Sequence, residues 1–330
     1  TAIKAGAIEV SASTNGQIMP PIMGAAAFVM AEVIGIPYFD IIKHAFIPAI
    51  ISYIALFYIV HLDALKLGLK PTPILEAVSS VMKRGWYYLI PIAVLILMLT
   101  VFRFSPDRSA LYCILSFIGI FFFEKIDISS SIGLSSLWAS AIETKKIVSV
   151  GLMNGAKNMI TVSIAVSAAG LVMGSIGASG LSNAIQELLT IIAGDSIIPI
   201  LIATAILSII LGMGLPTTAN YLIVSTLMVG IVSTLGRQAG FDFPIIAIHL
   251  FCFYFGLMAD VTPPVGLAAY AASSISRADP IKTGVQAFWY DCRTAILPFV
   301  FIFNSELLLI NVDSFSFKPN WHLLYYLFFK

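Results

Sequence analysis

The chain has 330 residues, of which 59% are apolar and only 11% charged, with a net charge of +1. Soluble domains carry about 25% charged residues, so this composition excludes an ordinary soluble domain and predicts an all-α integral membrane protein. The near-zero charge excludes a basic field for nucleic acid, and the separated Cys113, Cys252 and Cys292 supply neither a disulfide framework nor a zinc site.

In chain order, a polar island over Ser11, Ala12, Ser13, Thr14, Asn15, Gly16 and Gln17 leads into Pro20-Pro21 and a short apolar arm at 19–34. Proline removes a backbone donor and clashes with the preceding turn, so the pair predicts a broken helix. A span is expected at 43–60, an interfacial amphipathic connector at 61–86, and further spans at 87–103, 109–123 and 158–176. A second connector covers 177–195. Segments 197–212 and 217–235 read as hairpin arms around a second island, Gly212 to Tyr221. The span at 243–258 runs into a third island, Gly256 to Pro264, whose Pro263-Pro264 repeats the first break. A short arm at 263–275 and a last span at 288–310 follow. The expected organisation is the C-terminal part of a first repeat at 1–40, connecting and scaffold helices at 41–157, a second repeat at 158–312 and a tail at 313–330. Lys66, Lys70, Lys83 and Arg84 in one loop, and Lys125, Lys145, Lys146 and Lys157 in another, put both loops on the cytoplasmic side.

The islands carry the chemistry. Gly and Pro unwind a helix, and the freed carbonyls are tolerated in a membrane only where protein or a watery cavity receives them. Unwound carbonyls with Ser, Thr and Asn oxygens suit a hard cation such as Na⁺, and half-helix N-termini suit an anionic substrate. A matching break in each half of the chain is the sequence pointer to a transporter's binding site. Small polar residues in membrane helices often only mediate close packing. Three islands together, two of them ending in Pro-Pro, favour the ligand reading. Asp260 is the acid lodged beside a break, where buried carboxylates are costly and by default functional; it also suits a cap for a half-helix starting after Thr262. Asp291 with Arg293, and Lys157 with Asn154 and Asn158, read as snorkelling groups at span ends. Glu32 reads as interfacial. His44, His61, His249 and His322 form no cluster. The paired-Asp, HExxH and Asp-rich magnesium motifs of intramembrane enzymes are missing, so no enzyme is expected; a channel would use broken helices through oligomeric symmetry rather than an internal repeat.

The segments Ser13 to Phe28, Gly212 to Asn220 and Gly256 to Gly266, with Asn304-Ser305-Glu306-Leu307-Leu308-Leu309, together resemble the large membrane subunit of TRAP transporters, closest to the TAXI-type fused permeases. The resemblance covers essentially the whole chain; the family usually has Pro where Ser305 stands. It implies a multi-pass inner-membrane transporter with inverted repeats, re-entrant hairpins and an elevator motion. It implies uptake of an organic acid, dicarboxylates and glutamate-like compounds for the TAXI type, driven by a Na⁺ gradient. The partners it implies are an extracytoplasmic TAXI-type binding protein and a small four-helix membrane component, fused or separate. One cation site would use Thr217, Thr218 and Asn220 with Gly256, Asp260 and Thr262. Its symmetric counterpart would use Ser13, Thr14, Asn15 and Gly16. Substrate would lie between them, near Asn15, Gly16, Pro20, Pro21, Thr218, Pro263 and Pro264. The polar tip expected to pair with the first site would precede Thr1, so the chain reads as truncated within its first repeat. Proton coupling through Asp260, and a carboxylate transporter working without a binding protein, are the alternatives.

Overall fold

The structure, a computed structural model, describes residues 1–69, 78–124, 134–193 and 196–310. Its helices are α1 (Ala2–Gly16), α2 (Ala25–Ile34), α3 (Tyr38–Lys66), α4 (Val78–Gly85), α5 (Ile90–Thr100), α6 (Pro106–Glu124), α7 (Leu134–Ser179), α8 (Leu181–Ala193), α9 (Ile197–Gly212), α10 (Thr217–Gln238), α11 (Ile245–Ala259), α12 (Leu267–Ser276) and α13 (Pro280–Phe303). Short 3₁₀ turns lie at Trp86–Leu89 and Ser305–Leu308, and the described residues contain no strand. The chain is an all-α membrane protein. Among the described residues, four helical segments are long and apolar enough to cross a membrane: Tyr38–Lys66, Met82–Thr100, Pro106–Glu124 and Thr217–Gln238.

The chain forms two compact units. One comprises Thr1–Ile36, Asp40–Gly68 and Ala165 onward; the other comprises Pro37–Phe39 and Leu69–Ile164. The second unit is built around α5 and α6, which pack on each other, with Ser109 as the buried residue of α6. The tail at 313–330, Lys70, Lys125, Asp195 and His322 lie outside the described residues.

The first unit holds both proline breaks. At the first, α1 ends at Gly16, Pro20-Pro21 follows in cis, and α2 restarts at Ala25 with Gly24 as its N-cap. At the second, α11 ends at Ala259, Pro263-Pro264 follows in cis, and α12 restarts at Leu267 with Gly266 as its N-cap. A Cβ on Gly266 would lie 3.0 Å from the Asp260 carbonyl oxygen, and one on Gly24 would lie 3.1 Å from Gln17 Oε1. Glycine is therefore what lets each restarting helix close on its own break. The helices also pack reciprocally: α1 lies on α12 and α13, while α2 lies on α10 and α11. Ala7 and Val10 of α1 bury against Val261 of the second break and against Ala272, Ala287 and Tyr290. A Cβ on Gly6 would lie 3.0 Å from Ser276 Oγ, so α1 and α12 approach at backbone distance.

Helix α11 is buried from Ile246 through Ala259, as expected of a helix apolar on all sides. It packs on α9, α10 and α13, with Phe251 and Phe255 meeting Phe299 edge-on. At 15 residues it is about 22 Å long, short of a full crossing. The expected span at 243–258 is thus half of a broken helix, and the expected short arm at 217–235 is one of the long helices. Pro216 caps α10, and no proline follows it before Gln238, so nothing stops that helix early.

Two further expectations are corrected. Asp260 does not cap a half-helix starting after Thr262. The adjacent prolines delay the restart to Leu267, and no side chain caps α12. Nor do Asp291 and Arg293 snorkel at a span end. Helix α13 begins well before 288, at Pro280, because Asp279 Oδ1 accepts from Lys282 N at 2.8 Å and proline suits the first helical position. The two charges therefore lie near mid-helix with side chains only 2% and 10% exposed.

Candidate functional site

At the second break, four segments converge on one polar cluster. Helix α9 ends at Gly212, Gly214 turns the chain at φ +85° and Pro216 starts α10. This hairpin tip presents Thr217 and Asn220 to α11 and to the break. Thr217 Oγ1 donates to Asp260 Oδ2 at 2.7 Å. Asn220 is fully buried, and its Nδ2 donates to the Ser208 carbonyl at 3.1 Å and to the Gly256 carbonyl at 3.4 Å. Two glycines make room for that amide. A Cβ on Gly212 would overlap the Asn220 side chain and lie 2.5 Å from Ala259 Cβ, and one on Gly256 would lie 3.1 Å from Asn220 Nδ2.

With both amide hydrogens engaged, Asn220 Oδ1 is left buried without a hydrogen-bond partner. An orphaned buried acceptor costs about 1–3 kcal/mol, and groups of this kind call for an explanation. Thr218 is half-buried. Thr262 turns its hydroxyl back to the Met258 carbonyl at 2.6 Å. Of the residues expected here, Thr217 is bonded to Asp260 and Asn220 to the Gly256 carbonyl.

The first break has the same backbone logic with different side chains. Gln17 stands where Asp260 stands, three residues before the first proline. Gly24 N donates to the Gln17 carbonyl at 2.8 Å, as Ala268 N does to the Asp260 carbonyl at 3.2 Å. Ser13 is exposed and donates to Glu9 Oε1 one turn back, and Thr14 donates to the Val10 carbonyl. Gly16 is exposed, and a Cβ there would lie 3.9 Å from Tyr53 Oη. Asn15 is 1% exposed, and its Oδ1 accepts from Ser52 Oγ of α3 at 3.2 Å. Its Nδ2 has no partner.

Behind Asn15 lies a polar seam that sequence reasoning missed. Asp291 Oδ2 accepts from Ser11 Oγ at 3.0 Å, and Asp291 Oδ1 lies 3.2 Å from Arg293 Nη1. Arg293 Nε donates to the Ser52 carbonyl at 3.1 Å, and its Nη1 donates to the Tyr290 carbonyl. Further along α13, Tyr290 Oη donates to Asp63 Oδ2 at 2.5 Å, and Lys4 Nζ donates to both Asp63 oxygens at 2.6 and 2.8 Å. The missed signal was Asp279-Pro280, a helix start that moves Asp291 and Arg293 inward.

The chemistry available at the second break is oxygen donation: a carboxylate, a threonine hydroxyl and an unpaired amide carbonyl. Hard cations take such ligands. Among the described residues no group of three or more His, Cys, Asp and Glu could hold a metal ion. At each break the restarting helix offers an N-terminus with no side-chain cap, which favours an anion. Residues 1–314 match the model of the family described as tripartite ATP-independent periplasmic transporter, DctM component. Comparison with curated proteins gives no match.

Proposed function

Since the chain belongs to the DctM component family of tripartite ATP-independent periplasmic transporters, a transporter component and not an enzyme, we propose that it couples uptake of an organic acid to Na⁺ through the cluster at the second break. As a large TRAP component it is the multi-pass permease of a secondary transporter that works with a substrate-binding protein and a small membrane component.

The observation that carries the Na⁺ reading is the unpaired Asn220 Oδ1, held in place by two hydrogen bonds from its own amide nitrogen and one turn of α10 from Thr217, which binds Asp260. A cation there would draw on Asn220, Thr217, Thr218 and Asp260 with carbonyls around Gly256 and Thr262. The first break, with Asn15 and Gly16 and with Ser13 and Thr14 on the same turn, is its proposed counterpart. The acid substrate sits between the two breaks, near Pro20, Pro21, Pro263 and Pro264. The uncapped N-termini of α2 and α12 receive its carboxylate there. The reciprocal packing of the two breaks within one compact unit supports their moving together, as an elevator motion requires. The TAXI type, its binding protein, dicarboxylate-like substrates and an inner-membrane location complete the reading, on the resemblance of the three polar islands.

The test is uptake by the complete transporter in proteoliposomes, with its binding protein supplied on the substrate side. An inward Na⁺ gradient should drive accumulation, and an inward proton gradient alone should not. Accumulation under the proton gradient alone would move the coupling to Asp260 as a proton carrier.

A further inference from the structure

The ion pair on α13 lies at mid-helix, where charge in an apolar segment is costly and marks function by default. Its contacts lead to one place. Arg293 Nε holds the Ser52 carbonyl at 3.1 Å, Ser52 Oγ donates to Asn15 Oδ1 at 3.2 Å, and Asp291 steadies α1 from the other side through Ser11 at 3.0 Å. Thr294 Oγ1 lies 3.5 Å from the same Ser52 hydroxyl. Asn15 belongs to the last turn of α1 before the break. Every member of this chain of contacts is buried or nearly so.

We propose that Asp291 and Arg293 are positioning residues for the first break: they fix Ser52, and Ser52 fixes the Asn15 amide against its ligand. The inference rests on reading Asn15 as a ligand-contacting residue. A plain staple joining α1, α3 and α13 would need the ion pair and Ser11, but not the hydrogen bond from Ser52 to Asn15. The guanidinium's rigid fork suits the task, because its Nε direction is set once Nη1 is engaged by Asp291. Lysine would keep the charge opposite Asp291 and lose the second direction.

The experiment is uptake by the complete transporter in proteoliposomes under a Na⁺ gradient. Half-saturating Na⁺ and substrate concentrations are measured separately from the maximal rate. The variants are Asn15→Ala, Ser52→Ala, their double and Arg293→Lys. Asn15→Ala and Ser52→Ala should each raise one half-saturating concentration about five- to tenfold, the loss of one buried hydrogen bond. The double variant should be no worse than Asn15→Ala alone, and Arg293→Lys should match Ser52→Ala. No shift with Asn15→Ala would remove the reading of Asn15 and this inference with it. A shift with Asn15→Ala but none with Ser52→Ala, or two shifts that add in the double, would leave Asn15 in place and overturn the positioning role. If Arg293→Lys does not assemble, the Ser52 variants decide alone.

Discussion

The Thr217 hydroxyl donates to Asp260 Oδ2 at 2.7 Å, joining the hairpin tip to the second break across 43 residues of sequence. The bond holds the carboxylate against α10, whose Asn220, one turn on from Thr217, keeps an unpaired amide oxygen. Thr217→Val keeps the volume and removes the hydroxyl. It should raise the Na⁺ concentration for half-maximal uptake about five- to tenfold, and Thr217→Ser should restore it. A Na⁺ titration of uptake with the three proteins checks this.

Gly212→Ala should be among the most damaging single-methyl changes, because the added Cβ overlaps the Asn220 amide and presses on Ala259. Overpacking of this kind costs about 1–3 kcal/mol, and here it also displaces a proposed ligand. Gly16→Ala meets nothing closer than Tyr53 Oη at 3.9 Å and should leave the melting temperature almost unchanged. Thermal unfolding of the detergent-purified variants separates the two.

Much of this was legible in the sequence. Pro-Pro twice, each followed by a glycine before the next helix, specified both breaks, since two successive prolines remove two donors and crowd the preceding turn, whereas the single Pro48 and Pro298 leave α3 and α13 running through them. The grouping of Thr217 with Asp260 came from the family resemblance of their two islands, which are separated by most of α10 and α11. Other features were not, because they depend on where a helix starts and on packing. Asp291 and Arg293 looked like span-end charges until the Asp279-Pro280 start moved them to mid-helix. Ser52 lies in a plain apolar run, and only the approach of α3 to α1 and α13 gives it partners.

Tyr221 Oη and His249 Nδ1 form a 2.7 Å hydrogen bond between α10 and α11, with both side chains buried. It involves none of the oxygens proposed as ligands. Tyr221→Phe should therefore cost about 1–3 kcal/mol of stability by leaving the imidazole nitrogen unpaired, with the half-saturating Na⁺ concentration unchanged. Melting curves and a Na⁺ titration on the same preparation test both halves.

Lys4, Asp63 and Tyr290 tie the start of α1 to the end of α3 and to α13. The Lys4 and Asp63 side chains are 24% and 17% exposed, so the pair is partly screened. Lys4→Met should cost about 1 kcal/mol or less. That loss should shrink further in high salt, as thermal unfolding at two salt concentrations would reveal.

The proposed cation site at the second break is tested most directly by Asp260→Asn. The change keeps the shape of the side chain and an acceptor for Thr217, and removes only the charge. Na⁺-driven uptake by the reconstituted transporter should then need at least about tenfold more Na⁺ for half-maximal rate, as expected when a charged ligand becomes neutral. An unchanged half-saturating Na⁺ concentration, with the variant fully assembled in the membrane, would contradict the assignment.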